Sequence, residues 1–235
     1  MTLSNKGVTR RFTYILIVLL LGCQSPKSVE VEEVVSRASN TLTTPKPNDI
    51  LVSWDYDTTL WSEILPHENI VLDLRYATAD NFLAERVYDC PRCFLAPEMA
   101  KAVIQLGQVL YARGYRLVLF DCYRPISVQK EMWAIKPNKN YVTPPEKGSM
   151  HNRGLAVDMG LADLDGNLLE MGSDFDEFAK ESHWTFPHEP GIMERRNMLR
   201  QRAEEMGLLP IRTEWWHYSL RNVRRPISNF EWSCP

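Results

Sequence analysis

Hydrophobic residues along the chain follow two patterns, one typical of helices and the other of strands. In residues 97–112, apolar side chains recur at helical spacing, with Pro97 in the first turn and Gly114 just past the end. Residues 115–120 and 154–161 are short apolar runs, which favour buried strands. Further strands are predicted at 70–74, 168–171 and 213–220, and further helices at 127–134 and 194–206. Helices and strands in this irregular order predict an α+β fold.

Polar segments predict the connections between these elements. The pair Asp165-Gly166 is a favourable hairpin turn between the strands at 154–161 and 168–171. Residues 137–148 are rich in Pro, Asn and Lys and predict a loop.

The first 49 residues differ from the rest of the chain. Three cations, including Arg10 and Arg11, precede an apolar run at 12–21. This run is shorter than the roughly 20 residues that a spanning helix needs, and the pattern is typical of a signal peptide. The run ends in Leu-Leu-Gly-Cys at Cys23, which resembles a bacterial lipobox, although Cys23 could also be incidental. Residues 24–49 are polar and lack aromatic residues, so they predict a flexible tether.

These patterns predict three regions: a lipoprotein signal peptide at 1–22, a tether at 23–49 and a folded domain at 50–235. The protein is therefore expected to be exported and held by an N-terminal lipid on the periplasmic side of a bacterial membrane. Hydrophobic residues make up 44% of the 235, seven residues are Trp, and the net charge is −3. Because no basic run is present, nucleic acid is not an expected partner. The oligomeric state is left open.

The cysteines leave two interpretations open. After Cys23 the chain holds Cys90, Cys93, Cys122 and Cys234. Export to an oxidising compartment would permit disulfides between some of them, in a pairing that the sequence does not give. The spacing of Cys90 and Cys93 could also be half of a zinc site, but a second such pair is absent from the sequence.

Two distant segments carry residues suited to metal chemistry, 149–158 and 214–217. They offer His151, Asp158 and His217 as ligands and Glu214 as a free carboxylate. A catalytic zinc site needs such a set: three protein ligands, a position for water, and a base for its proton. In a strand that starts at residue 154, positions 154, 156 and 158 share one face, so small side chains leave space in front of Asp158.

The second segment has an odd spacing, which matters for its geometry. Glu214 and His217 would point to opposite faces of an ideal strand, so a bulge or an irregular start of the strand is predicted there. Trp215 and Trp216, between them, are expected to pack in the core rather than to contact substrate. Three other histidines are expected to be core residues and not ligands: His67, His183 and His188.

The motif His-x6-Asp, followed downstream by Glu-x-Trp-His, resembles the zinc D-Ala-D-Ala dipeptidases. Two further motifs of that family are similar here, Asp-Leu-Arg-Tyr-Ala-Thr at 73–78 and Asp-Cys-Tyr-Arg-Pro at 121–125. Cys122 departs from the pattern, since a small residue such as Gly is expected there. The resemblance covers about residues 50–225. It implies a central antiparallel sheet flanked by helices, the fold shared with zinc D,D-carboxypeptidases and the Hedgehog signalling domain.

The resemblance also implies roles for individual residues. His151, Asp158 and His217 would bind one zinc ion per chain, and Glu214 would be the general base and then the acid. Arg124 would stabilise the oxyanion, although a surface salt bridge is its alternative. For a small dipeptide substrate, Asp176 would hold the ammonium group, unless it is a helix N-cap. Ser149 could form a hydrogen bond beside His151.

Two other functions remain open from the sequence. The domain could be a D,D- or L,D-carboxypeptidase that acts on peptidoglycan peptides, in which case its site would be an open groove. It could also be a zinc-binding lipoprotein without catalysis. Glu214 argues against the second alternative, because a structural zinc site has no use for a free base.

Overall fold

The computed structural model describes residues 55–139 and 141–235. The predicted signal peptide, Cys23 and the predicted tether lie outside these residues. Within the described ranges, none of the helices has the length and apolar character needed to pass through a bilayer.

The described chain forms three α-helices and seven strands, which confirms the α+β class. The helices are α1 (Pro97–Tyr111), α2 (Ile126–Ile135) and α3 (Pro190–Glu205). The strands are β1 (Ser62–Ile64), β2 (Ile70–Leu72), β3 (Cys93–Leu95), β4 (Arg116–Asp121), β5 (Ala156–Ala162), β6 (Leu209–Ile211) and β7 (Glu214–Ser219).

The central sheet has five strands in the order β2-β4-β5-β7-β6. Its pairs are antiparallel except for β2 and β4 at one edge, which are parallel. All seven residues of β5 are buried, because this strand lies in the middle of the sheet and both of its faces are covered. A second, two-stranded sheet pairs β1 with β3 and was not predicted.

Helix α1 packs on the sheet with its apolar stripe. Met99, Val103, Leu106 and Leu110 are fully buried, as their spacing predicts. Pro97 stands in the first turn, and Gly114 follows the end in the left-handed region, with φ +83°. Helix α3 starts four residues before the predicted position, because Pro190 is compatible with a first helical turn.

The predicted strand at 168–171 is wrong. The tight turn at Asp165-Gly166 is present, and Gly166 has φ +94°. Beyond the turn, the chain makes one isolated bridge, between Ala162 and Leu168. One further hydrogen bond follows, from the N–H of Leu169 to the carbonyl of Leu161 at 2.9 Å, and the segment does not continue as a strand.

Two disulfides join the four cysteines of the domain. Cys93 is bonded to Cys122, and Cys90 is bonded to Cys234. The interpretation of Cys90 and Cys93 as half of a zinc site is therefore wrong, since each thiolate is used in a different covalent bond.

Arg92 connects the beginning and the end of the described chain. Its guanidinium forms a bidentate pair with the Asp55 carboxylate at 2.6 and 2.9 Å. It also donates to both carboxylate oxygens of Glu63 and to the carbonyl of Ser233, at 2.8 Å. Ser233 precedes the disulfide-bonded Cys234, so the two ends are held at one point.

Candidate metal centre

Three predicted ligands meet at the centre of the sheet. Asp158 on β5 pairs directly with His217 on β7, and His151 lies in a short helical turn just before β5. The Asp158 Oδ1 atom is 3.0 Å from His217 Nδ1 and 3.3 Å from His151 Nε2. One ligand atom of each residue lies within 4.8 Å of the others, so they can surround a single cation.

His151 is oriented by a main-chain carbonyl. Its Nδ1 atom donates to the carbonyl of Cys122 at 2.7 Å, which leaves Nε2 to face Asp158 and His217. Metal-binding histidines usually have such a partner on the other ring nitrogen. Two imidazoles and one carboxylate also match the nitrogen and oxygen ligands that zinc takes in catalytic sites. The described residues therefore fit a zinc ion.

The electrostatics of the centre favour a positive charge. Burial opposes ionisation of both groups, but mutual attraction dominates, and it raises the pKa of His151 and lowers that of Asp158. Asp121 contributes to the higher pKa of His151. A cation bound between Asp158, His151 and His217 would therefore stabilise the buried carboxylate of Asp158.

The predicted irregularity near Glu214 is confirmed. Pro210 pairs with Tyr218, but the next residue, Ile211, pairs with Glu214, so the register between β6 and β7 shifts at this point. Glu214 and His217 consequently line the same cavity despite their odd spacing. Burial raises the pKa of Glu214, although His217 partly offsets the effect.

Gly154 has a different role from the one predicted. Strand β5 begins at Ala156, and Gly154 ends the helical turn of His151 with φ +66°. A Cβ atom here would lie 2.6 Å from the Trp61 ring and 2.9 Å from the Ala96 nitrogen. Glycine is thus needed for the turn and for close contact with β3, not to leave space in front of Asp158.

Arg124 is buried, so its interpretation as a surface salt bridge is wrong. Its Nη2 atom donates to Asp121 Oδ2 at 2.6 Å and its Nη1 atom to Gln129 Oε1 at 3.0 Å. The guanidinium also lies 5.0 Å from the centre of the Tyr76 ring. Its Nε atom is buried and has no hydrogen-bond partner among the described residues. Arg124 lines the same cavity as the metal ligands.

Asp176 lies in a loop and not at a helix N-terminus. It adopts φ +63°, an uncommon conformation for a residue other than glycine. Its carboxylate is buried and accepts a hydrogen bond from the Tyr76 hydroxyl at 2.9 Å. Burial raises the pKa of Asp176 well above the usual carboxyl value, and the charge of Asp158 adds to the effect.

Ser149 lines the cavity but does not contact His151 through its hydroxyl. The Ser149 hydroxyl donates to Asn152 Oδ1 at 3.2 Å, and its main-chain N–H donates to the same oxygen at 2.7 Å. Asn152 also donates to the carbonyl of Arg124 at 2.8 Å. Ser149 therefore belongs to a hydrogen-bonded loop that connects the two motif segments.

One cavity of about 460 Å³ contains all of the predicted site residues apart from Cys23. Trp216 forms part of its wall, while Trp215 packs on the other side of the sheet, facing a second cavity of about 510 Å³. Asp176 also borders this second cavity, but none of the metal ligands does.

The other histidines stay outside the centre, as predicted, but none of the three is a core residue: His67 is exposed, and His183 and His188 are half-buried. Its ring pairs with Asn69 Oδ1 at 2.7 Å. His188 contacts the carbonyl of Glu181 at 2.9 Å, and neither His183 nor His188 lines the cavity.

Four residues that support the site were not predicted from the sequence. Asp121 is fully buried and accepts hydrogen bonds from Arg124 and from the Tyr88 hydroxyl, the latter at 2.7 Å. Tyr76 holds Asp176, and Gln129 holds Arg124. Asp121 and Tyr76 lie within recognised motifs and could have been proposed from them. Nothing in the spacing of Tyr88 or Gln129 points to the site.

Comparison with known proteins agrees with this arrangement. A family model for the M15 peptidases, described as D-Ala-D-Ala dipeptidase, matches residues 60–233. The chain is 34% identical to the D-alanyl-D-alanine dipeptidase of Escherichia coli (strain K12) over 168 residues, 71% of this chain and 87% of the relative. It is 33% identical to that of Enterococcus faecium over 184 residues, 68% of this chain and 90% of the relative.

The chain also aligns with a solved structure of a vancomycin-resistance D,D-dipeptidase in complex with a phosphinate analogue of D-Ala-D-Ala. The alignment covers 56% of this chain and 52% of the chain in that structure. The identity is 21% and the TM-score is 0.37, too loose a fit for comparing the two sites. The family match and the two relatives together cover most of the described domain. The chain therefore belongs to the D-Ala-D-Ala dipeptidase family of peptidases.

Proposed function

We propose that this protein is a zinc-dependent dipeptidase that hydrolyses D-Ala-D-Ala. The observation that carries the proposal is that three metal ligands, a free carboxylate and a buried guanidinium line one cavity. The family to which the chain belongs and the activity for which its relatives are named support the choice of substrate.

His151, Asp158 and His217 would hold the metal. A bound zinc ion lowers the pKa of its water to about 7 and polarises a carbonyl oxygen. Because the Nδ1 atom of His151 is engaged by the Cys122 carbonyl, this ring offers Nε2 to the ion.

Glu214 is proposed to move the proton. It has a pKa raised by burial, which brings a carboxylate closer to the operating pH of a general base. It would take a proton from the attacking water and deliver it to the nitrogen of the leaving D-alanine.

Arg124 and Asp176 are proposed to bind two polar groups of the reacting dipeptide, the scissile carbonyl and the ammonium group. Arg124 is fixed by Asp121 and Gln129, so it can donate to the oxygen of the scissile carbonyl as negative charge develops there. The Asp176 carboxylate would accept hydrogen bonds from the substrate ammonium. Ser149 stays a proposed substrate contact because it lines the same cavity.

The experiment is a hydrolysis panel on the purified domain with D-Ala-D-Ala, L-Ala-L-Ala and a wall pentapeptide ending in D-Ala-D-Ala. We expect turnover of D-Ala-D-Ala that a chelator abolishes and zinc restores. Faster release of D-alanine from the pentapeptide would assign the protein as a carboxypeptidase instead. No hydrolysis of any peptide by a zinc-loaded, folded sample would favour a non-catalytic protein.

Glu214→Gln is the matched control for this panel. It keeps the shape of the side chain but removes its basicity, so we expect one zinc per chain and a loss of turnover of about 100- to 10,000-fold. Normal turnover in this variant would exclude Glu214 as the base.

We further propose that the protein is exported and anchored by a lipid on Cys23. The lipobox-like sequence and two disulfides, which form in oxidising compartments, support this location. Membrane fractionation with Cys23→Ser tests it: the native protein should sediment with membranes and the variant should not. Equal fractionation of both would contradict the anchor.

A further inference from the structure

The disulfide between Cys93 and Cys122 lies next to the metal centre. Cys122 stands between Asp121 and Arg124 in sequence, and both cysteines are buried, with exposures of 0% and 2%. The same Cys122 that forms the disulfide provides the carbonyl that accepts the Nδ1 proton of His151, at 2.7 Å. Cys122 therefore takes part in the covalent cross-link through its side chain and orients the proposed ligand His151 through its carbonyl.

The position of this carbonyl depends on the chain around Cys122. In the described part of the sheet, pairing of β4 with β5 ends at Asp121 and Asp158, after a register shift that follows Leu119. Cys122 thus lies just beyond the paired part of the strand. Its carbonyl turns to the imidazole of His151 instead of to a neighbouring strand.

Strand β3 supports both sides of this contact. The carbonyl of Phe94 accepts the N–H of Tyr123 at 2.8 Å, and the N–H of Ala96 donates to the carbonyl of Gly154 at 2.9 Å. β3 and Ala96, the residue that follows it, therefore contact the segment that carries the carbonyl and the turn that carries the imidazole. The disulfide bonds the first residue of β3 to Cys122.

A second acceptor makes the orientation of His151 sensitive to this support. Asp121 Oδ2 lies 3.4 Å from the Nδ1 atom of His151. If the Cys122 carbonyl moved away, the imidazole N–H would turn towards that carboxylate. The Nε2 atom would then leave its place opposite Asp158, and Asp121 would hold Arg124 less firmly.

We propose that the Cys93–Cys122 disulfide is a positioning element of the metal centre, because it fixes the carbonyl that aims His151 at the ion. This inference rests on the proposed zinc site. Loss of a partner that orients a metal-binding histidine typically weakens metal affinity or activity about 10- to 100-fold. We expect a loss of zinc affinity in that range when the disulfide is removed.

The test compares two double variants of the described domain. C93A/C122A removes the positioning disulfide. C90A/C234A removes the other disulfide, which does not include the residue that holds His151. Zinc affinity is measured by competition with a chromophoric chelator, together with thermal unfolding of the metal-free proteins and with kcat and KM for D-Ala-D-Ala. We expect both variants to unfold at lower temperature, but only C93A/C122A to lose zinc affinity and kcat.

Equal zinc affinity in wild type and in folded C93A/C122A would overturn the proposal and reduce the disulfide to a stabilising cross-link. That result would leave the proposed function intact if the wild type still binds zinc and cleaves the dipeptide. If the wild type binds no zinc, the proposed function fails instead.

A second variant covers the case in which C93A/C122A does not fold. C93V/C122A restores part of the lost volume in the core, and near-ultraviolet circular dichroism reports whether its packing is native. The absorption spectrum of its Co²⁺ form reads the ligand geometry directly. A spectrum and an affinity equal to those of wild type would contradict the proposal, and a changed spectrum with weaker binding would support it.

Discussion

At the scale of single residues, the site is built from buried charges that hold one another. Asp121 pairs with Arg124, Asp158 faces two imidazoles, and the half-buried Glu214 lines the same cavity. Asp176 is the exception, because burial and the nearby charges of Asp158 and Asp121 oppose its ionisation, while the Tyr76 hydroxyl donates a hydrogen bond to it. A carboxylate in such surroundings is costly in the free enzyme and suited to receive a cationic group.

Asp176→Asn should therefore stabilise the protein and weaken substrate binding. Asparagine tolerates the left-handed backbone of this position and carries no charge to bury. We expect a higher melting temperature and a KM for D-Ala-D-Ala that rises about 10- to 100-fold, as for loss of a charged hydrogen bond. Calorimetry and steady-state kinetics measure the two effects. A lower melting temperature would show that the carboxylate stabilises the fold.

The same residue predicts a dependence on pH. The pKa of Asp176 is higher in the folded chain than the unfolded value of about 3.9. The folded state then binds more protons, so the free energy of unfolding falls as pH rises between the two values. In the opposite sense, KM should rise as pH is lowered through the folded pKa, because only the ionised carboxylate attracts the ammonium. Asp176→Asn should lack both trends, and their persistence would assign them to another group.

Arg124→Lys tests the guanidinium. Lysine keeps the positive charge, but its single nitrogen cannot reproduce the two separate hydrogen bonds that the guanidinium donates to Asp121 and Gln129. We expect kcat to fall about 100- to 1,000-fold, the effect of losing one donor to an oxyanion, with zinc content unchanged. Turnover within a few-fold of wild type would place the oxyanion elsewhere.

At the scale of elements, helices and strands were predicted best where residues at both of their ends carry a local start or stop signal. Helix α1 was predicted to within one residue, because Pro97 starts it, Gly114 follows it and its apolar stripe is regular. Strands β1, β3 and β6 were missed, since three residues are too few to show a period, whereas the equally short β2 lies within the apolar run predicted at 70–74. The start of β5 was placed two residues early, because an isolated glycine does not reveal whether it extends a strand or ends a turn.

The substitution Gly154→Ala measures how much stability depends on glycine at the end of the His151 turn. A Cβ atom at Gly154 would collide with Trp61 and with the backbone of Ala96, while at Gly114, with φ +83°, it would meet nothing within 4 Å. We expect Gly114→Ala to cost about 1 kcal/mol, for the left-handed backbone alone, and Gly154→Ala to cost clearly more. Urea unfolding of both variants gives the comparison. Equal losses would mean that Trp61 moves aside freely.

At the scale of the whole molecule, the site depends on contacts that join distant segments. Antiparallel pairing of β5 with β7 brings Asp158 and His217 together, and the recognised motifs predicted this convergence. The supporting hydrogen bonds that Tyr88 donates to Asp121 and that Gln129 accepts from Arg124 could not be predicted, because they depend on the three-dimensional packing of segments that carry no motif. The disulfide pairing was likewise decided by the fold and not by the spacing of the cysteines.

The Cys90–Cys234 disulfide should contribute to stability but not to chemistry. The two cysteines are 144 residues apart, so the cross-link closes a long loop and restricts the unfolded chain strongly. We expect C90A/C234A to lower the free energy of unfolding by about 2–5 kcal/mol. Denaturant titration measures the loss, and kcat/KM under native conditions should stay within two-fold of wild type. A large fall in kcat/KM would show that the C-terminal segment acts on the site.

The meeting of Asp55 and Ser233 at Arg92 has a practical consequence for engineering. Two ends of a domain that lie side by side can be bridged by a few residues, and new ends can be opened in an exposed turn without loss of the fold. The turn at Asp165-Gly166 is such a place, since Asp165 is exposed and the turn lies outside both motif segments, 149–158 and 214–217. A circular permutant of the described domain, opened there, should keep the groups of the proposed site in place.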